Sequence, residues 1–380
     1  MSTRRGTERR YGPLASTRRL WRGLDRPLLW TTILLLALGL AVLYSASYQR
    51  GLEMGTSFVG KQVAWLALGL AIAMLLMLVD YHRWLEGAYL LYGLNLLLLG
   101  LVLAAGETRG GAQRWLAAGP LTFQPSELAK VSTVLVLARY LGEHRDGPRR
   151  WGSLVVPGLI VLLPMLMILK EPNLGTATLF LPIAAAMLFV WGIPARMLWT
   201  LVGLAVVAVP LGWHLLHDYQ RARLLVFINP NLDPLGAGYT VLQSKIAIGS
   251  GLLWGRGWFA GTQNQLNFLP ERHTDFIFSV VGEEWGFLGA TALLGLYAFL
   301  LHRGFRIAAE SRDPFGQLVV TGLMTMIGGH VLINVGMTLG LMPVVGLPLP
   351  FMSYGGSWLL TCLVAMGMVF SVGMRRPGFG

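Results

Sequence analysis

Cysteine and charge are what this chain has least of. A single cysteine, Cys362, stands among 380 residues, which excludes an internal disulfide framework and a thiolate metal cluster. Only 13% of residues are charged, against about a quarter in soluble domains. Acidic residues are the scarcer kind, with 18 Asp and Glu against 30 Lys and Arg. The seven histidines include no pair with zincin spacing. The glycine-rich run GSGLLWGRG at 249–257 lacks a Gly-Lys-Ser/Thr ending and a preceding strand, so it is no phosphate loop. It reads as loop turns, or as a re-entrant segment of the kind tolerated when packed in protein.

What is present is apolar. Hydrophobic residues make up 54% of the chain and the mean hydropathy is +0.60, which points to a polytopic membrane protein. The net charge of +12 could suggest nucleic acid. Its distribution argues against that, because eight arginines precede residue 28, the pattern of a cytoplasmic anchor beside an anionic leaflet. The first apolar run ends near Ser45-Ala46-Ser47, which resembles a signal-peptide cleavage site. At about 20 residues it exceeds the usual core of such peptides, so it reads as a retained span.

The expected fold class is all-α. About ten spans follow from segments of roughly 20 apolar residues: Leu28–Tyr48, Phe58–Val79, Trp84–Ala105, Phe123–Leu141, Leu154–Leu169, Leu174–Val190, Met197–Leu216, Asp275–Leu301, Leu318–Leu341 and Leu359–Met374. Arginines 83, 145, 149, 150, 196, 303, 306, 312, 375 and 376 then collect on one side, which places both termini in the cytoplasm. The organisation expected is a basic segment 1–27, one membrane domain 28–374 and a tail 375–380. A large outer loop, 217–274, separates the seventh and eighth spans, and a shorter one covers 106–122.

Ionisable residues inside spans usually face a bundle interior or a polar cavity. Asp275 opens the eighth span, and a continuous helix from it to His302 would rise about 40 Å. If His302 marks the inner surface, Asp275 lies at the outer headgroup level. Glu283 follows two turns later on nearly the same face, and Glu284 points away. The plain alternative is a helix start, with Thr274 capping and Asp275 favouring the dipole. In QPSELAK, 124–130, Pro125 suits a first helical turn, and Glu127 and Lys130 can meet on one face. That pair could be a structural neutralisation or part of a site. Arg109, Arg114, Arg221, Arg223, Lys245, Arg256 and Arg272 form an outer basic set. A subset converging near Asp275 would bind phosphate. His273 and His330 are isolated and read more readily as packing residues. SYGGS, 353–357, allows close backbone approach, and PNLGTA, 172–177, suggests a tight turn.

These motifs together resemble a known family. NFLPERHTDFIFSVVGEEWGFLG, QPSELAK, PNLGTA, GSGLLWGRGW and GLPLPFMSYGGS are similar, in order and over nearly the whole chain, to the SEDS proteins of shape, elongation, division and sporulation. The LPERHTDFIFSVVGEEWG stretch is nearer the rod-shape branch than the division branch. The resemblance implies a peptidoglycan glycosyltransferase acting on lipid II, a disaccharide-peptide joined by pyrophosphate to undecaprenol. It places the family's essential aspartate on Asp275, and its fourth-span motif on Glu127 and Lys130. Asp275 would be general base, and Lys130, Arg109, Arg114 and Arg272 would stabilise the diphosphate, with a divalent cation (Mg2+ or Mn2+) able to share that role. No organic cofactor is expected. Glu127 would hold Lys130, His273 would orient Asp275 or the loop, Glu283 would support, and Ser353 with the rest of SYGGS would shape the cavity. Gly110 stands where the family often has Asn. Expected partners are a class B penicillin-binding protein (a transpeptidase), other rod-elongation proteins and membrane lipids, with no nucleic acid. A lipid II flippase and a scaffold remain alternatives, and charges gathered at one face favour chemistry over transport.

Overall fold

The computed structural model describes residues 23–375, apart from 55–56, 110–111, 119–120, 145–146, 149, 213–217, 230–231 and 234–235. Residues 1–22 of the basic N-terminal segment, Gly110, Arg145, Arg149 and the tail 376–380 therefore lie outside the described residues. The chain is overwhelmingly helical. In order come α1 (Arg26–Met54), α2 (Phe58–Leu78), α3 (His82–Ala105), strands β1 (Glu107–Arg109), β2 (Ala112–Ala118) and β3 (Leu121–Phe123), and α4 (Pro125–Glu143). After a 3-10 turn follow α5 (Val155–Lys170), α6 (Leu174–Val190), α7 (Ala195–Gly212), α8 (Asp218–Ile228), α9 (Ala237–Ser250), α10 (Thr262–Gln265), α11 (Ile277–Glu310), α12 (Pro314–Thr338) and α13 (Gly356–Met374).

Local chemistry sets several boundaries. Pro125 occupies the first turn of α4, where its missing N–H costs no hydrogen bond. Asp313 caps α12 by accepting from Gly316 N at 2.9 Å, with Pro314 next. Asn173 caps α6 by accepting from Thr176 N, so PNLGTA is a helix start as well as a turn. Asp25 accepts from Leu28 N at 3.0 Å and pairs with Arg303 at 2.6 Å, tying α1 to α11.

Seven helices among the described residues are long and apolar enough to cross a membrane: α1, α2, α3, α5 with its preceding turn, α11, α12 and α13. Two shorter apolar stretches are Leu174–Val190 and Ala195–Leu204. Helix α4 is absent from both groups. It carries four charged residues in 19, and nearly all of its surface is covered by neighbouring helices instead. Exposed apolar side chains mark the periphery: Leu90 and Leu97 on α3, Leu159 on α5 and Trp199 on α7 are each over 60% exposed. Helices α12 and α13 form the buried centre.

The structure departs from the sequence expectation in three places. The shorter loop folds as an antiparallel three-stranded sheet, with Leu116 opposite Phe123 and Arg109 opposite Ala112. The long loop contains three helices, α8 to α10. The eighth span begins at Ile277 and is interrupted at Gly286, whose backbone is left-handed at φ 67°. The freed backbone groups are satisfied by the 251–257 run. Phe287 N donates to Leu252 O at 2.8 Å and Leu288 N to Leu253 O at 3.1 Å, while Arg256 N and Gly257 N donate to Glu283 O and Glu284 O at 3.0 Å. The glycine-rich run is thus a re-entrant strap packed on the break, the arrangement that non-helical backbone near a bilayer requires. The part of α11 after the break, Phe287–Glu310, is about 36 Å long, enough to cross roughly 30 Å of hydrocarbon. Asp275 lies on the far side of the break from Arg303.

Candidate active site

Asp275 lies in the turn 271–276 ahead of α11. Asp275 N and Phe276 N both donate to Glu271 O, at 3.1 and 3.2 Å. Thr274 does not cap the helix. Its hydroxyl turns back to Glu271, at 3.2 Å from both the carbonyl and Oε2, and Phe276 takes the cap position without a side-chain bond.

Three consecutive carbonyls of this turn are held by the C-terminal third of the chain. Tyr354 N donates to His273 O at 2.8 Å, Ser353 Oγ donates to Thr274 O at 2.5 Å, and Asn334 Nδ2 donates to Asp275 O at 2.8 Å. Ser353 Oγ in turn accepts from Leu349 N at 2.8 Å. The backbone of Asp275 is fixed on all sides, while its partly exposed carboxylate accepts no side-chain or backbone hydrogen bond among the described residues.

The surroundings of that carboxylate are cationic. A β-carbon on Gly346 would lie 3.2 Å from Asp275 Oδ2 and 3.8 Å from Arg223 Nη1. Gly346 has φ 71°, a conformation that glycine adopts without strain, and its missing side chain leaves room for both groups. Arg223 also donates to Val344 O at 3.4 Å. A narrow cleft beside them is lined by Arg114, Pro172, Gln220, Arg223, Val344 and Val345. Burial and then the Glu271 charge push the Asp275 pKa up to about 6, against the opposing pull of Arg223 and Arg114. The group is thereby ionised at neutral pH yet a stronger base than an ordinary aspartate.

Arg114, on β2, donates to Glu171 O at 3.3 Å and to Pro172 O, so the sheet is fastened to the turn between α5 and α6. Glu171 itself is fully buried, and among the described residues neither carboxylate oxygen has a hydrogen-bond partner. Burial pushes its pKa up to about 8, with Arg114 opposing, so at pH 7 it is largely protonated.

Other expected site residues are placed elsewhere. Lys130 has no exposed surface. Its ammonium donates to Glu127 Oε2 at 2.7 Å and to His330 Nε2 at 2.8 Å, and lies 4.4 Å over the Trp358 ring. It is sealed within the bundle and does not line the cleft. Arg272 is 5% exposed and is held by Ala46 O of α1 and by Asn267 Oδ1, so it ties the turn to α1. His273 is packed between Phe58 and Tyr354. Glu283 is fully buried and accepts from Gln263 N at 2.8 Å and Asn264 N at 3.1 Å, capping α10. Glu284 accepts from Ser45 Oγ and from Asn264 Nδ2 at 3.0 Å. Both glutamates secure the strap and neither faces the cleft. Arg109 ends β1, and its side chain lies outside the described part.

Sequence reasoning put Arg223 only among many outer arginines and passed over Glu171, Glu271, Asn334 and Gly346. The RAR at 221–223 had no spacing to Asp275 that could single it out, because Arg223 is 52 positions away and two further helices intervene.

With this geometry in view, comparison with known proteins is decisive. Residues 26–377 match the FtsW/RodA/SpoVE family, described as cell cycle proteins. The chain belongs to that family. It is 41% identical over 362 residues to the peptidoglycan glycosyltransferase MrdB of Escherichia coli K12, covering 93% of this chain and 94% of the relative. It is 32% identical to the peptidoglycan glycosyltransferase RodA of Treponema pallidum, covering 93% and 98%. Among solved structures, a chain described under structural coordination of polymerization and crosslinking by a peptidoglycan synthase complex matches with a TM-score of 0.79 at 37% identity, covering 93% and 99%. The rod shape determining protein RodA of Thermus thermophilus matches at 0.70 and 35%, covering 93% and 97%. The family read from the motifs is therefore the right one, and within it RodA-type proteins stand among the similar chains.

Proposed function

We propose that this membrane protein is a peptidoglycan glycosyltransferase that polymerises lipid II into β-1,4-linked glycan strands during cell elongation, with Asp275 as general base. The observation that carries the reading is the setting of Asp275: its backbone carbonyl is pinned by Asn334, its carboxylate oxygens are unclaimed among the described residues, and Arg223 and Arg114, which line the neighbouring cleft, act on its charge.

In this reaction Asp275 takes the proton from the GlcNAc 4-hydroxyl of the acceptor as that oxygen attacks the anomeric carbon of the donor. The bond from that carbon to undecaprenyl diphosphate breaks, and the leaving group departs with the electron pair. Displacement in one step inverts the centre, from an α-linked donor to a β bond. Arg114 and Arg223 would bind the departing diphosphate, since guanidinium groups meet phosphate oxygens in pairs. Arg114 keeps its place in the expected set, Arg223 enters it, and Lys130 and Arg272 act at a distance. Among the described residues no group of three or more His, Cys, Asp or Glu stands close enough to hold a metal. A Mg2+ or Mn2+ ion bound with the substrate would share the stabilisation of the diphosphate, for which one or two carboxylates are enough protein ligand.

Asp275 lies on the far side of the α11 break from Arg303 and Arg306. With the arginine-rich end in the cytoplasm, the termini are cytoplasmic and the cleft faces the outside, where lipid II presents its sugars. A class B penicillin-binding protein is the expected partner, in keeping with the synthase complex that holds a similar chain. Transport of lipid II would need a polar path through the bundle, and the charges found there, Glu127, Lys130 and His330, are closed on one another.

The test is polymerisation of purified lipid II by wild type and by Asp275→Asn, with chelator in one arm. The expected outcome is no glycan product from the variant, at unchanged yield of folded protein. Polymer of normal length from Asp275→Asn would remove Asp275 as base.

A further inference from the structure

We infer that Asn334 is a positioning residue for Asp275, and that Glu127 and Lys130 influence the reaction only through it, by way of His330 and the 347–348 carbonyls. The inference rests on Asp275 being the base.

Among the described residues no hydrogen bond aims the carboxylate of Asp275, so its direction is set by its main chain. Asn334 is fully buried on α12, and its amide nitrogen reaches two acceptors, Asp275 O at 2.8 Å and Leu347 O at 2.7 Å. One side chain thus joins the turn that carries the base to the loop that carries Gly346, which packs against Asp275 Oδ2. Among the described residues the Asn334 carbonyl oxygen has no partner.

The same helix holds the same loop one turn earlier. His330 Nδ1 bonds Pro348 O at 3.2 Å, a carbonyl adjacent to the one Asn334 takes. For Nδ1 to donate, Nε2 must be the bare nitrogen, and Lys130 Nζ donates to it at 2.8 Å. Glu127 fixes Lys130 from the other side at 2.7 Å, and Trp358 stacks on the imidazole with a centroid separation of 3.7 Å. The buried ion pair therefore selects the His330 tautomer that grips the loop. Without Lys130, nothing in this cluster prevents the imidazole from turning its hydrogen to Nε2 and releasing Pro348.

The charged and titratable groups around Asp275 are Glu271 from its own turn, Arg114 from β2 and Arg223 from α8. His330 is the only titratable side chain on α12, and 343–350 contains none. An acid introduced at 334 would be a new negative neighbour, unmatched by any charge on its own helix or loop.

The experiment uses the full chain in nanodiscs, with a partner transpeptidase present if activity requires one, and reads kcat, KM for lipid II, the pH profile and folded yield. Asn334→Ala should lower kcat by about 10–100-fold, the range for misplacing a reacting group, with KM changed less than about threefold. Asn334→Asp differs by one atom and decides the matter if the alanine variant does not fold. It should lower kcat and move the acid limb of the profile to higher pH, which loss of packing alone would not do. Lys130→Met should lower kcat and leave KM in place. An Asn334→Asp profile superimposable on wild type, at equal turnover per folded molecule, would overturn the positioning role. A KM rise of about tenfold at constant kcat in Lys130→Met would put Lys130 on the substrate instead. Asp275→Asn runs beside them. If it stays active the base assignment fails, and if it is dead while the Asn334 variants are normal, only the positioning fails.

Discussion

Asp275 and Glu283 stand eight residues apart in one stretch of sequence, on nearly one face of a helix drawn through them, and they end in opposite circumstances. Asp275 has its carbonyl bound by Asn334 and its carboxylate unclaimed among the described residues. Glu283 has its carboxylate consumed by the amides of Gln263 and Asn264, and no surface remains exposed. Charge does not separate the two. What separates them is whether the fold assigns hydrogen-bond donors to the main chain or to the acid itself. A carboxylate that already accepts from fixed amides is a poor base and a good fastener.

Exchanging each acid for its amide breaks or confirms this contrast most directly, and carries the largest effect. Asp275→Asn should lose about 100-fold or more in kcat, while its apparent melting temperature stays level or rises, because a carboxyl with a raised pKa disfavours the folded state above its unfolded value. Glu283→Gln should do the reverse. Losing charge-assisted bonds to two amides costs about 1.5–3 kcal/mol, so the protein melts earlier, yet turnover per folded molecule holds. Thermal melts and polymerisation on the same preparations check both. Equal loss of turnover in the two variants would erase the distinction.

A pair of glycines sharpens the same comparison one step down. Gly286→Ala would force a left-handed φ of 67° on alanine, with a β-carbon 2.8 Å from Leu253 O, and should cost about 1–2 kcal/mol for the backbone alone. Its damage falls on the strap and shows as lost folded yield. Gly346→Ala carries a similar φ, but its methyl meets Asp275 Oδ2 and Arg223. Its expected signature is a drop in kcat larger than the drop in yield.

Much of this was legible in the residues. Helix positions, the membrane class and the family followed from apolar runs and separated motifs, and the i, i+3 spacing of Glu127 and Lys130 anticipated their contact. What escaped was everything set by tertiary contact. A continuous helix through Gly286 was the natural reading, since one glycine costs only about 1 kcal/mol in a helix. Only the strap returning to bind the freed amides reveals the break. Arg223 and Asn334 carry no local signal, because each meets Asp275 from a different helix. Lys130 has the right charge and the right motif for a phosphate ligand, and its burial behind His330 and Trp358 is a property of packing that no spacing records.

Arg223 offers the next effect in size. Arg223→Gln removes a cation that holds the Asp275 pKa down and that the proposal puts on the diphosphate. Turnover should fall by about tenfold for a lost charge-assisted contact, and the acid limb of the rate profile should move above its wild-type position near pH 6. A tenfold fall with an unmoved limb would leave Arg223 on the substrate but away from the base.

Glu271→Gln gives the smallest effect and the cleanest sign. Glu271 is exposed, and its charge raises the Asp275 pKa. Because only ionised Asp275 can accept the proton, the rate climbs as pH rises through that pKa. Removing the Glu271 charge lowers the pKa, so the acid limb must move toward lower pH, opposite to Arg223→Gln. The interaction passes through solvent and is screened over about 10 Å at 0.1 M salt. The difference between variant and wild type should therefore shrink as salt is added, whereas the burial that dominates the shift is indifferent to salt. Glu283→Gln in the same titration should leave the limb where it is. A limb that moved with Glu283 and not with Glu271 would mean that the open carboxylate had been assigned to the wrong acid.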